Sequence, residues 1–276
     1  MVIRVLLLIT VSFLGLNGLS VAQDSNEQKP RRQGEFYFQW GYNRDWYTKS
    51  DIHVYQHSAD PSKSYDFWIY DAKAHDKPDM WRYWYIDRLT IPQYDMTAGY
   101  FLNDKRDLGF EIGWNHLKYV VTDWQTVHVK GQVHGTPMDT VMALDPKFFH
   151  LQHTNGNNYL LFSLVKRKDI RVYRNIHVKA IAKLGAGPMI SYTISTILGD
   201  NDWGYFHAQG WVAAASLGAR VYLFKHFFLQ TDMQGAFANY TGTTMGSDRQ
   251  GAARHHFYSL QWTYEAGFAL PINRKR

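Results

Sequence analysis

The 276-residue chain contains no cysteine, so disulfides, thiol nucleophiles and thiolate metal sites are excluded. Beyond residue 16 no apolar run approaches the ~20 residues that a transmembrane helix needs. A Gly-x-Ser-x-Gly elbow, a phosphate-cradling glycine loop and a His-Glu-x-x-His pair are all missing, which removes familiar signatures of serine hydrolases, nucleotide enzymes and zinc proteases. No fixed-period repeat or low-complexity tract is present. The formal charge of +6 is too slight and too mixed in sign to mark a nucleic-acid partner.

What is present begins at the start of the chain. Met1-Val2-Ile3-Arg4, an apolar run over residues 5–16 and Ser20-Val21-Ala22-Gln23 have the order of a Sec signal peptide, with cleavage expected near Ala22. No cysteine follows that site, so lipoprotein anchoring is excluded. Residues 23–33 are polar and charged and are expected to be a flexible periplasmic leader. Residues 34–276 are expected to form a single domain.

Within that domain the dominant signal is a period of two. At the end of the chain Tyr258, Leu260, Trp262, Tyr264, Ala266, Phe268 and Leu270 fall on one parity, and Ser259, Gln261, Thr263, Glu265, Gly267 and Ala269 on the other. A strand sends successive side chains to opposite faces, so this segment has one apolar, aromatic face and one polar face. The same alternation places Phe36, Phe38, Trp40 and Tyr42 against Glu35, Gln39 and Asn43, and it recurs near residues 94–102, 108–115, 176–187, 210–223 and 227–237. Aromatic residues make up 16% of the chain, a supply that suits interfacial girdles. A soluble sandwich or lipocalin-like barrel is the competing reading, but it would have to satisfy many inward charges in a dry core.

Connection lengths give the topology. Short links at 103–106, 168–175 and 224–226 alternate with long ones at about 48–91, 122–145, 192–206 and 241–254. Short turns on the periplasmic side and long loops outside give a closed antiparallel up-and-down transmembrane β-barrel of about 8 strands. On that count the patterned pieces 51–57, 64–75, 125–133 and 145–153 are hairpins and strand extensions above the membrane. If they crossed the bilayer the barrel would have 10–12 strands.

This pattern resembles the small integral outer-membrane β-barrels of Gram-negative bacteria over nearly the whole mature chain. Gly267 and Leu270 partly match the C-terminal signal of such barrels, although this chain ends Pro271-Ile272-Asn273-Arg274-Lys275-Arg276 rather than on an aromatic residue. The resemblance implies the outer membrane as location, and contact with its lipid and lipopolysaccharide. It also implies a non-enzymatic role: binding a partner or ligand through extracellular loops, or supporting a protein partner in a membrane complex. A narrow small-solute pore is a further alternative. No cofactor, metal or nucleic acid is expected.

Three groups of residues are candidates for function. Glu35, Asp107, Glu111, Lys179, Lys183, Arg220, Asp232 and Glu265 share the polar parity and are expected to form a lumen network. The stretch from Phe149 to Tyr159 resembles the His-x-Ser-Asn segment of outer-membrane lipid A deacylases, which implies an acyl-hydrolase alternative using His150, His153 or Thr154. It departs at the centre of that motif, with Gln152 two residues after His150 and Asn155 two after His153. A parity switch between Leu151 and Leu160 predicts a bulge at Asn155-Gly156 that re-aims His153 and Thr154. Trp81, Arg82, Tyr83 and Trp84 form an aromatic-basic cluster suited to a sugar or protein ligand. His53 and His57 are expected on one face of a solvated loop, too far apart to chelate. The adjacent His255 and His256 point to opposite faces.

Overall fold

The structure, a computed structural model, describes residues 33–78, 92–102, 107–173, 176–224 and 226–273. These form fifteen strands: β1 (Gln33–Tyr47), β2 (Ser50–Gln56), β3 (Tyr65–Ala72), β4 (Ala74–His75), β5 (Tyr94–Phe101), β6 (Leu108–Val121), β7 (Thr126–Val133), β8 (Thr136–Ala143), β9 (Phe149–Tyr173), β10 (Ile176–Ser191), β11 (Ile194–Ile197), β12 (Asp200–Asp202), β13 (His207–Leu223), β14 (Phe227–Met245) and β15 (Gly251–Asn273). Among the described residues no helix is long and apolar enough to cross a membrane.

Eight strands close a ring in the order β1-β5-β6-β9-β10-β13-β14-β15, and β15 returns to β1 from Gln33↔Asn273 to Tyr47↔Ser259. Following paired residues from Trp46 through Leu260, Gly235, Ala215, Leu184, Leu164, Phe110 and Tyr100 leads back to β1 at Phe36, a stagger of ten residues. Eight strands with that stagger, at ~3.3 Å per residue and ~4.8 Å between strands, tilt about 40° from the barrel axis. The interior of such a barrel is only wide enough to be filled by side chains.

The apolar parity faces outward. Phe110, Ile112 and Phe162 are each more than half exposed, and Leu229, Trp262, Phe268 and Leu270 are nearly so. On β14 the belt runs over residues 227–237, about 33 Å along the strand and ~25 Å along the axis, the height of a membrane-facing band. This is a transmembrane barrel with its greasy surface turned to acyl chains.

Above the belt the sheet does not end. The upper part of β15 leaves β1 and pairs with β2 at Ala252↔Tyr55 and Arg254↔His53, and the sheet continues through β3 and β7 to β8. The cap has an apolar interior, built from Ile52, Val54, Phe67, Ile69, Val129, Phe149 and Leu151, all fully buried, and it runs on into the upper barrel through Tyr119, Tyr240 and Phe257. The pieces at 51–57, 64–75 and 125–133 therefore rise above the membrane, and the count of 10–12 membrane strands is excluded. β8 carried no clear alternation in the sequence, because it is an exposed edge strand with little buried on either face. β9 runs unbroken to Tyr173, so the turn after it is narrower than 168–175. Pro271 sits within β15 opposite Glu35. The bulge is present: Asn157 pairs with Leu117 but His153 with Tyr119, and Gly156 takes φ 148°, a conformation that glycine adopts without strain.

Candidate functional site

Three levels of side chains fill the lumen. At the turn end, Arg220 is fully buried with its guanidinium over the rings of Phe228 (3.9 Å) and Tyr37 (4.3 Å). It donates to the side-chain oxygens of Gln230 at 2.6 Å and Gln39 at 2.8 Å. Arg167 lies over Phe101 at 3.8 Å, donates to the Tyr222 hydroxyl at 2.7 Å and pairs with Glu35. Two guanidiniums and four rings close this end.

One level up, Lys183 bridges Glu111 at 3.1 Å and Asp232 at 3.2 Å. The Tyr37 hydroxyl donates to Glu111 at 2.7 Å, Gln39 to Glu265 at 2.7 Å and Gln230 to Asp232 at 2.6 Å. Glycines opposite these long side chains make room. A Cβ on Gly218 would lie 2.0 Å from the Asp232 carboxylate, and one on Gly99 2.2 Å from the Tyr37 ring. Above this level Asp95 accepts from Asn115 at 2.6 Å and Asn43 at 3.0 Å. The cavity left among Glu111, Lys183, Asp232, Gln234, Thr263 and Glu265 measures about 20 Å³, room for one water.

The third level lies above the belt, where Tyr119, His153, Tyr240, His255 and Phe257 pack face to face. His153 stacks on Tyr240 with centroids 4.3 Å apart and planes 2° apart, and Tyr240 stacks on His255 at 4.7 Å. Burial, with the His256 imidazole beside it, pushes His255 down to about 3. Burial, and after it the nearby His255 and His207, holds His153 well below the ordinary histidine value. Both are neutral at neutral pH.

Glu35, Glu111, Lys183, Arg220, Asp232 and Glu265 all line the lumen and are buried. Lys179 and Asp107 lie nearer the turn end than Lys183 and Glu111. Lys179 pairs with Asp169 at the open turn-end rim, and Asp107 lies 3.6 Å from Lys166. Alternation gives the face of a residue but not its height, so parity alone could not separate rim from interior. Arg167, Tyr222 and Phe101 were missed. Phe101 and Tyr222 sit at or next to a strand end, and Arg167 lies in β9 close to its turn-end run of charged residues.

The structure does not assemble a nucleophile around His150, His153 or Thr154. His153 Nδ1 lies 2.7 Å from the Thr193 hydroxyl, whose own proton goes to Gln209 Oε1 at 3.0 Å. The Gln209 amide is fixed by its donation to the Ser191 carbonyl, so His153 is the donor here and not a base. Thr154 takes no part in this chain and lies on the opposite face. His150 lies outside the barrel and pairs with Asp123 at 2.8 Å; no hydroxyl bonds to it among the described residues. The Trp81, Arg82, Tyr83 and Trp84 cluster lies outside the described residues. His53 and His57 correct the sequence reading: they sit at a hairpin and converge on Asp66, at 2.8 Å and 3.8 Å. No group of three or more acidic, histidine or cysteine side chains suited to a metal occurs among the described residues.

No family model and no curated protein matches the chain. Solved structures similar to it include the outer membrane protein OprG from Pseudomonas aeruginosa, at 13% identity and TM-score 0.38, covering 88% of this chain and 99% of that one. The outer membrane protease OmpT from Escherichia coli is similar at 9% identity and TM-score 0.36, covering 90% and 100%. The Ail protein of Yersinia pestis is similar at 8% identity and TM-score 0.30, covering 87% and 99%. The barrel itself is established by the closure of its own strands.

Proposed function

We propose that this chain is a non-enzymatic outer-membrane barrel that holds a rigid binding sheet outside the cell on a sealed post. Residues 1–22 serve as the export signal and residues 23–33 as a periplasmic leader. The cap faces outward, in contact with outer-leaflet lipid and lipopolysaccharide, and presents its surface to a ligand or to a protein partner in a membrane complex. One observation carries this reading: the lumen narrows to a cavity of about 20 Å³ among Glu111, Lys183 and Asp232, and above it a continuous apolar core runs from the upper lumen into the cap. A pore needs an open path, and a floppy loop needs no core.

Planar-bilayer recording tests it. The refolded protein should give no conductance steps, and its co-purification in mild detergent should reveal the partner. Stepwise conductance would overturn the sealed-post reading. The acyl-hydrolase alternative has one supporting observation, the His150–Asp123 pair. It requires fatty-acid release from lipopolysaccharide that His150→Ala abolishes, and the scaffold reading expects no release.

A further inference from the structure

The outer face of the cap carries a row of rings that serves neither the lumen nor the cap core. His53 of β2 stacks on Trp68 of β3 with centroids 4.4 Å and planes 4° apart. Tyr55 extends the row on one side at 4.9 Å from His53, and Tyr70 on the other at 6.1 Å from Trp68. The Arg254 guanidinium lies over Tyr55 at 5.1 Å. Trp68 remains 39% exposed. Buried rings are explained by packing, but a stacked row left open to water is not.

At its lower end this row meets a groove of about 370 Å³ lined by Asp51, Trp68, Asn239, Thr241, Arg254 and His256. The groove opens where the pairing of β14 and β15 slips between Tyr240 and Thr243. Its height is fixed by register. Asn239 pairs with His256, and two residues below them Phe237 pairs with Tyr258, the uppermost rings of the belt on these strands. Aromatic rings of this kind sit at the level of lipid headgroups. The groove therefore opens onto the headgroup layer.

Flat rings with polar atoms at their edges suit a carbohydrate, whose C–H faces stack on rings while its hydroxyls bond to Asp, Asn and Thr side chains. The Arg254 guanidinium, with His256 beside it, suits an anionic substituent such as a phosphate. Asp51 is occupied in part by the backbone N–H of Asp71, at 2.8 Å, which limits its repulsion of that anion.

We propose that this groove and its ring row bind the phosphorylated sugar headgroup of a glycolipid in the leaflet that surrounds the cap end of the barrel. The inference rests on the outward-facing cap described above and names what that surface holds. The acyl chains of the lipid run down the belt past Phe237 and Tyr258, so the ligand arrives from the membrane and not from solution.

The test uses the full chain refolded into phosphatidylcholine bilayer discs with lipopolysaccharide as the probe, and measures the lipopolysaccharide retained through mild re-extraction. The paired change Trp68→Ala and Arg254→Ala should weaken retention about tenfold with an unchanged melting midpoint. Trp203→Ala, an exposed ring away from the groove, should leave retention intact. Dephosphorylated lipopolysaccharide and the detached soluble oligosaccharide should each bind about tenfold more weakly than the membrane-borne probe. Equal retention by parent and double variant, or equal loss on Trp203→Ala, overturns the proposal. So does soluble oligosaccharide bound as tightly as the lipid. Failure of the underlying barrel reading is distinguishable, because the parent protein would then not enter the discs at all.

Discussion

The lumen and the cap are built from the same strands with opposite chemistry. On β15 the odd-numbered residues face inward from Gly251 to Ala269. Below Tyr258 that inward set is Ser259, Gln261, Thr263 and Glu265, while Leu260, Trp262, Tyr264 and Phe268 face out. Above it the inward residues are Ala253, His255 and Phe257, and Arg254 and His256 face out. The inward parity of the strand is kept through that point, although its partner changes from β1 to β2 above it. The solvent outside changes from acyl chain to water, and the sign of the pattern follows it. The level at which a barrel strand exchanges its apolar face is therefore a direct marker of the membrane surface.

Core truncations in the two regions should cost similar energy and have different reach. Lys183→Ala leaves Glu111 and Asp232 buried without their cation, a loss of about 3–5 kcal/mol that should lower the melting point of the whole barrel. Phe67→Ala empties a fully buried site in the cap at about 3–5 kcal/mol. Limited proteolysis of that variant should cut within residues 50–75 and 126–143 while the eight-strand ring survives. Global unfolding from Phe67→Ala would erase the distinction between cap and post.

Surface charge should separate the regions next. Ile112→Arg places a cation against acyl chains and should cost about 2–4 kcal/mol in folding titrations into vesicles. Val141→Arg, at a more exposed apolar site on β8, should change stability by no more than about 0.5 kcal/mol. Equal costs would place both residues in one solvent.

Acid gives the smallest and most graded effect. Unfolded histidine titrates near 6.5, whereas folded His255 titrates near 3 and folded His153 is also held low. Between those values the unfolded chain takes the proton and the folded chain does not. The contribution of each histidine is thus intact above about pH 6.5 and falls by on the order of 1 kcal/mol per pH unit below it. For His255 the fall levels off near 3. The cap should melt earlier at pH 4.5 than at pH 7.5, and the paired change His153→Gln and His255→Gln should flatten that difference. An identical pH slope in parent and variant would remove the histidines from the account.

Much of the post was legible in the sequence because two-residue alternation states which solvent each face meets. It was legible for Phe36 to Tyr42 and for the final strand, where side chains of one kind repeat without interruption. The cap was legible only as separate patterned pieces. Its shared core depends on β15 changing partner from β1 to β2, a pairing across about two hundred residues that no local pattern encodes. The link from His153 to Thr193 was hidden for the same reason, since 40 residues and a loop intervene. The ring row on the cap was split between two hairpin strands, so His53 and Trp68 gave no joint signal until the register of β2 and β3 was known.

The absence of cysteine makes one measurement direct: single-cysteine variants along residues 252–270, spin-labelled in lipid vesicles and probed with oxygen and a water-soluble nickel reagent. Even positions from 258 to 270 should be open to oxygen, positions 252, 254 and 256 to nickel, and odd positions from 253 to 269 to neither. Nickel access at 260, 264 or 268, or the loss of alternation along this strand, would contradict a membrane-embedded barrel with a sealed lumen.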